Sequence, residues 1–432
     1  MTTYWCEHAW LPGGVAEAVR IEVDGTEITS VTAGAERAGT VLDGLTLPGF
    51  ANAHSHAFHR ALRGRTHHER GTFWTWRERM YSLAARLDPE SYYRLARGVY
   101  AEMVLAGYTS VGEFHYLHHA PGGTPYADPN EMGAALIRAA GDAGIRITLL
   151  DTCYLAGGVG KDLDEVQRRF SDGTARGWAD RVAALGESEL VRVGGAVHSV
   201  RAVPADQLAD VEVSDDRPLH VHLSEQRAEN EQCLAAYGLS PTELLSDKGL
   251  LTPRLTAVHA THLTGHDISL LGYEGCTACF CPTTERDLGD GIGPARTLAD
   301  SGVKLSLGSD SNAVVDGFEE ARALEMNDRL ASETRGRFTS AELLAAAAAH
   351  ASIGWPEAGR IEAGGAADLV TIGLGSVRTA GIEPDGALLA ASASDVRHVV
   401  VAGREIVRDG VHQGIERPET VLTKEIEGLW RY

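Results

Sequence analysis

The chain has 432 residues, 44% of them hydrophobic and 23% charged, a balance that fits a folded globular protein and excludes a disordered or fibrous one. No run reaches the ~18 uninterrupted apolar residues that a membrane-spanning helix needs. Lys and Arg number 39 against 60 Asp and Glu, a net charge of −21, which repels polyanions and argues against nucleic acid as a partner.

Taken in chain order, Met1–His8 lacks a basic segment followed by an apolar run, so no secretory signal is expected and the chain is placed in the cytoplasm. Ala18–Leu47 alternates in strand fashion, with Gly25, Gly34, Gly39 and Gly44 as turns. Eight short runs then have the length and residue types of buried strands: Leu47–His56, Tyr108–Phe114, Ile145–Asp151, Arg192–Ser199, Pro218–Ser224, Leu255–Ala260, Cys276–Cys281 and Val303–Asp310. Stretches of helical character lie between them, such as Pro89–Ala106, Pro129–Ala143 and Phe318–Leu330, with Gly107, Gly144 and Gly302 placed as helix stops. Strands apolar throughout, alternating with helices, imply a parallel sheet covered on both faces, and eight such units imply a closed (β/α)8 TIM-type barrel. The barrel is expected over residues 48–356. Ala367–Gly373 and Val396–Arg408 again read as strands, so residues 1–47 and 357–432 are expected to form one small β-sandwich, with Thr420–Tyr432 as a terminal helix. The six cysteines (Cys6, Cys153, Cys233, Cys276, Cys279 and Cys281) are too sparse for a disulfide framework. The last three resemble half of a zinc knuckle, but with no second pair they read as buried strand residues.

Active-site groups of a TIM-type barrel lie at the C-terminal ends of its strands. The first run ends Ala53-His54-Ser55-His56, and the two-residue period of a strand points both imidazoles to one face, as two ligands of one metal require. The fifth ends His220-Val221-His222-Leu223-Ser224-Glu225, the sixth Val258-His259 and the eighth Gly308-Ser309-Asp310. Imidazoles with a carboxylate form an N/O donor set suited to zinc or another first-row divalent ion, with a position left open for water.

Pro48-Gly-Phe-Ala-Asn-Ala-His-Ser-His56 and Leu307-Gly-Ser-Asp-Ser311 resemble the metal motifs of the amidohydrolase superfamily. Cys281-Pro-Thr-Thr284 with Leu288-Gly-Asp-Gly291, and Gly364-Gly-Ala-Ala-Asp-Leu-Val370, resemble further segments of its aminohydrolase branch, so the likeness spans nearly the whole chain. More narrowly, His54-Ser-His-Ala-Phe-His-Arg-Ala61, Phe73-Trp-Thr-Trp-Arg77, Glu113-Phe-His-Tyr116 and Asn52 resemble the formimidoylglutamate deiminase family of histidine degradation. The resemblance implies His54, His56, His222 and Asp310 as metal ligands, with Glu225, His259, His198 and Asp310 serving the reaction. It implies Arg77, Tyr116 and Arg201 as contacts to a substrate, N-formimino-L-glutamate, that carries two carboxylates. His59 stands where that family commonly has Gln. If it takes over the contact, protonation near pH 6.5 would strengthen its hold on an anion. A homodimer is common among similar proteins.

One zinc ion per chain is the consistent expectation. A second metal would need an anionic bridge, commonly a modified lysine closing strand four, yet that run ends Ala196-Val197-His198-Ser199 and none of Lys161, Lys248, Lys304 and Lys424 closes a strand. Zinc lowers the pKa of its bound water to about 7. Glu225 is then placed to move the proton from water to the departing nitrogen, and His259 to stabilise the oxygen that gains charge. Two alternatives stay open, a deaminase of a purine or pterin on the same fold and a non-catalytic barrel scaffold. His220 and His262 read as core or rim residues, and His67, His68, His118 and His119 as solvated loop histidines.

Overall fold

The computed structural model describes residues 1–66, 73–211, 214 and 216–431. His67 and His68 lie outside them, as does Tyr432. The chain opens with strands β1 (Thr2–Leu11), β2 (Gly14–Asp24), β3 (Glu27–Thr32) and β4 (Thr40–Pro48). It continues through β5 (Phe50–Ser55), β6 (Tyr108–His115), β7 (Arg146–Cys153), β8 (Val191–Val197), β9 (Leu219–Leu223), β10 (Leu255–His259), β11 (Thr277–Phe280) and β12 (Lys304–Leu307). It closes with β13 (Leu369–Ile372), β14 (Val396–Val401), β15 (Arg404–Arg408) and β16 (Val411–His412), followed by the helix Pro418–Trp430.

Strands β5 to β12 pair in sequence order, every pair parallel. A parallel bridge between Ser55 and Asp310 joins the two edges. Its hydrogen bonds, Asp310 N–H to His54 O at 2.9 Å and His56 N–H to Asp310 O at 3.0 Å, make the closure of the barrel and the assembly of the site one event. All eight residues of β6 and of β7 are buried, as expected for strands covered on both sides. Helices follow the strands, among them Pro89–Leu105, Glu131–Ala143 and Gly317–Ser332. Gly144 ends the second of these in the left-handed region at φ 73°, the stop read from the sequence.

The other eight strands form one sheet in the order β16-β15-β14-β13-β4-β1-β2-β3. The sheet rolls over on its own face: Glu27, at the start of edge strand β3, bridges Ala366 just before β13. Tyr4, Cys6, Val19, Ile21, Val23, Leu42, Leu369 and Val400 are among the side chains packed inside the roll.

Two details differ from the sequence reading. Leu47–His56 is not one strand, because Pro48, lacking an N–H, ends β4 in the outer sheet and β5 begins at Phe50 in the barrel. Strand β1 had no clear signal because a bulge between Cys6 and His8 breaks its period, burying Tyr4, Cys6 and Ala9. Among the described residues, no helix is long and apolar enough to cross a membrane.

Candidate active site

His54 and His56 leave β5 on the same face, and His222 closes β9 opposite them. His54 Nε2 stands 3.1 Å from His222 Nε2. Asp310 Oδ1 stands 3.5 Å from His54 Nε2 and 3.4 Å from His56 Nε2. His56 donates from Nδ1 to Phe114 O at 2.9 Å and His222 from Nδ1 to His198 O at 3.0 Å. These bonds fix the tautomers, so both rings turn bare Nε2 lone pairs toward one point. Burial first, then the neighbouring imidazoles, holds His54 and His222 neutral, and the same two causes pull His56 down to about 3. Converging neutral nitrogens with one carboxylate are the donor chemistry of a divalent metal, and the group fits this site.

His259 Nε2 lies 3.7 Å from Asp310 Oδ2 and 4.0 Å from Glu225 Oε1. Burial disfavours charge on this ring, but Glu225, Glu285 and Asp310 outweigh it and hold the imidazole well above its ordinary pKa. Three strand ends carry non-glycine residues in the left-handed region: Ser224 at φ 51°, His259 at 69° with Ala260 at 47°, and Asp310 at 44°. Backbone held in this costly conformation turns each side chain inward as its strand ends.

Above this floor lies a cavity of about 230 Å³ lined by, among others, His59, Trp76, Arg77, Tyr116, Tyr154, His198, Arg201, Glu225 and His259. Arg77 donates from Nε to Tyr81 Oη at 2.8 Å. Arg201 stands 3.8 Å from Glu225 and 3.8 Å from Glu229. His198 packs its ring 4.5 Å from that of Tyr154 and 5.4 Å from that of Tyr116. The candidates read from scattered strand ends and loops therefore converge on one chamber, with His54 beneath it.

A family model described as the amidohydrolase family matches residues 45–406. The chain belongs to the amidohydrolase family. It is 38% identical to a formimidoylglutamate deiminase of Pseudomonas aeruginosa, over 96% of this chain and 97% of that one. An amidohydrolase from Brucella melitensis superposes with a TM-score of 0.90 at 32% identity, covering 100% of both chains. A mutant atrazine chlorohydrolase from Arthrobacter aurescens TC1, complexed with zinc and atraton, superposes with a TM-score of 0.87 at 22% identity over 99% of this chain and 100% of that one, a likeness of fold.

In this amidohydrolase His59 is buried, and its Nε2 lies 2.9 Å from Tyr116 Oη. Burial, then His56, His54 and His198, holds its pKa well below 6.5, so the expected titration near that pH is corrected: the ring stays neutral. His118 and His119 are buried rather than solvated, with His119 Nε2 2.9 Å from Asp172 and His118 donating to Thr152 O at 2.9 Å. All six cysteines are free and buried.

Sequence reasoning missed three buried carboxylates of this amidohydrolase. Glu229, from the helix Arg227–Tyr237, brings two oxygens without a hydrogen bond among the described residues, and burial raises it to about 7 against the opposing pull of Arg201. Asp290 accepts from the Gln226 side chain and is raised to about 9, by burial first and then by Glu225. Glu285 faces His259 Nδ1 at 3.4 Å. Each reaches the site from a loop or helix beyond a strand, where no periodicity marks it.

Proposed function

We propose that this amidohydrolase hydrolyses N-formimino-L-glutamate to N-formyl-L-glutamate and ammonia in histidine degradation. The observation that carries the reading is a pair of guanidinium groups, Arg77 and Arg201, on the wall of the cavity whose floor is the histidine–aspartate cluster. Planar, permanent cations suit a substrate with two carboxylates. The 38% identity to a formimidoylglutamate deiminase over 96% of the chain supports the same substrate.

His54, His56, His222 and Asp310 would hold one divalent ion, zinc by preference, which would supply acidification of water and polarisation of the substrate there. Water adds to the formimino carbon and the C=NH nitrogen leaves as ammonia, so a C=O double bond replaces the C=N double bond while the bond to the glutamate nitrogen stays intact. Glu225 takes the two water protons in turn and delivers both to the nitrogen, the first as water adds and the second as NH2 departs as ammonia. His259 turns Nε2 toward the oxygen that gains charge. His198 and Tyr116 flank the formimino group, Arg77 and Arg201 hold the carboxylates, and His59 positions Tyr116 as a neutral ring. The barrel unit is assigned to residues 48–356 and the second unit to residues 1–47 with 357–432. The protein acts in the cytoplasm as a homodimer and, at net charge −21, without nucleic acid.

Ammonia release by the metal-loaded protein tests the reading, measured on N-formimino-L-glutamate beside adenosine, 8-oxoguanine and a pterin. Ammonia and N-formyl-L-glutamate in equal amounts are expected. Turnover of only a heterocycle, or of nothing, overturns it.

A further inference from the structure

Glu285 is a buried carboxylate that the reaction above leaves without a task. It lies in the helix Pro282–Leu288, which follows β11. Its Oε1 accepts the backbone N–H of Cys281 at 2.8 Å, and its backbone N–H donates to Cys281 O at 2.9 Å. The side chain is therefore folded back on the start of its own helix. The same Oε1 stands 3.4 Å from Nδ1 of His259, a residue of β10. Across that imidazole, Nε2 faces Asp310 at 3.7 Å and Glu225 at 4.0 Å.

A histidine ring has a broad, roughly two-fold preference about its last torsion, so its backbone alone does not decide which edge faces the reaction. An acceptor held on one nitrogen does decide, because it fixes both the ring plane and the proton position. Glu285 is such an acceptor. Its helix immobilises it, and it is 3% exposed, so water cannot readily replace it. Capping the helix start explains the bond to Cys281. It does not explain why the capping oxygen is also the one aimed at Nδ1. A separation of 3.4 Å is long for a hydrogen bond, and bonds of this kind tighten when a site fills.

We propose that Glu285 is a positioning residue, whose carboxylate accepts from Nδ1–H of His259 and so orients the ring with its Nε2–H edge toward the reacting oxygen. The inference rests on the role given to His259 above. Removing Glu285 should therefore weaken the chemical step without weakening substrate or metal binding.

A double-mutant cycle tests it on metal-loaded protein, with kcat, KM, bound metal and Tm measured for each variant. Glu285→Ala is expected to lower kcat at least tenfold, with KM within threefold and metal content unchanged. Glu285→Gln, which keeps an acceptor oxygen of the same reach, should recover at least threefold of that loss and serves in the cycle if the alanine variant does not fold. In a His259→Ala background the same change should alter residual kcat less than twofold. Equal factors in both backgrounds overturn the proposal, and so does a fall in Tm with unchanged kcat, the signature of a helix cap alone. A second readout needs no turnover: long-range ¹H–¹⁵N spectra of histidine-labelled protein, with His259 assigned by its absence in His259→Ala. Loss of its Nδ1–H pattern in Glu285→Ala supports the proposal, and an unchanged pattern in that variant overturns it. If the wild type leaves N-formimino-L-glutamate intact, the functional reading fails, and the cycle on whichever tested compound it does hydrolyse, together with the spectra, still decides the role of Glu285.

Discussion

Glu225 illustrates how much one residue's position depends on its neighbours. Ser224, at φ 51°, turns the chain immediately after β9 and sends the carboxylate toward His259. Glu225→Gln should keep its metal and lose roughly 10²-fold or more in kcat, the scale of a general acid–base group. Metal analysis beside steady-state kinetics checks both halves of that expectation. For Arg77→Met and Arg201→Met we expect a loss of about 2–5 kcal/mol in kcat/KM each, since a substrate carboxylate is left without its partner. Metal content should stay constant, and near-normal kinetics in either variant would remove that arginine from the pocket. The candidate ligands were legible because chemistry and strand period coincide in His54-Ser55-His56. Glu229 and Glu285 were not, since a lone glutamate on a helix reads as a solvated charge until a fold buries it.

Hydrogen bonding between elements sets the site at the next scale. Asn52, in β5, donates to Ser309 Oγ at 2.6 Å and accepts the Ser309 N–H at 2.9 Å. Asn312 accepts from Ser309 Oγ at 2.7 Å and donates to His56 O at 3.0 Å. The first barrel strand is thereby stitched to the segment after the last, and the ligand-bearing ends of both are held in register. Gly308 permits the approach, since a Cβ there would stand 2.7 Å from His54 O. Asn52→Leu should cost about 2–4 kcal/mol, because it leaves several buried polar groups unpaired. The denaturant midpoint should fall, and metal affinity with it. A stable protein with native metal affinity would show the network to be incidental. Element existence was readable where apolar runs are short and bounded by glycine or proline. Boundaries were less so: β12 stops at Leu307, and Asp310 joins the barrel through its bridge to Ser55.

Across the whole molecule, the two sheets meet at a buried ion pair. Arg146 of β7 bonds Asp368 at 2.8 Å, and Asp368 also accepts the Ala402 N–H at 2.7 Å, tying the barrel to the strands at the end of the chain. Buried imidazoles tie stability to pH. His118 and His220 are both pulled down to about 4, chiefly by burial. An unfolded chain protonates histidine near 6.5, so as pH falls from 6.5 toward 4 these two positions bind up to two more protons unfolded than folded, and their contribution to stability must fall. The limiting slope is about 2.7 kcal/mol per pH unit for two such groups. Asp151, held down to about 2 against its burial by Arg181 and His118, contributes stability that is lost only in stronger acid. Denaturant midpoints of chelator-treated protein should therefore drop steeply between pH 6.5 and 5. A flat profile would show that these rings are not held neutral.

From the sequence alone came the alternating strands and helices, the parallel barrel, the return of both chain ends to one small sheet and the metal-type donor set. These follow from signals carried by neighbouring residues: apolar runs, turn glycines and the two-residue period of a strand. The protonation of His59, the burial of His118 and His119, and the pairing of Glu285 with His259 depended on the tertiary structure. Each is set by residues distant in the chain, and the desolvation that shifts a pKa or demands a hydrogen bond exists only once those residues have packed.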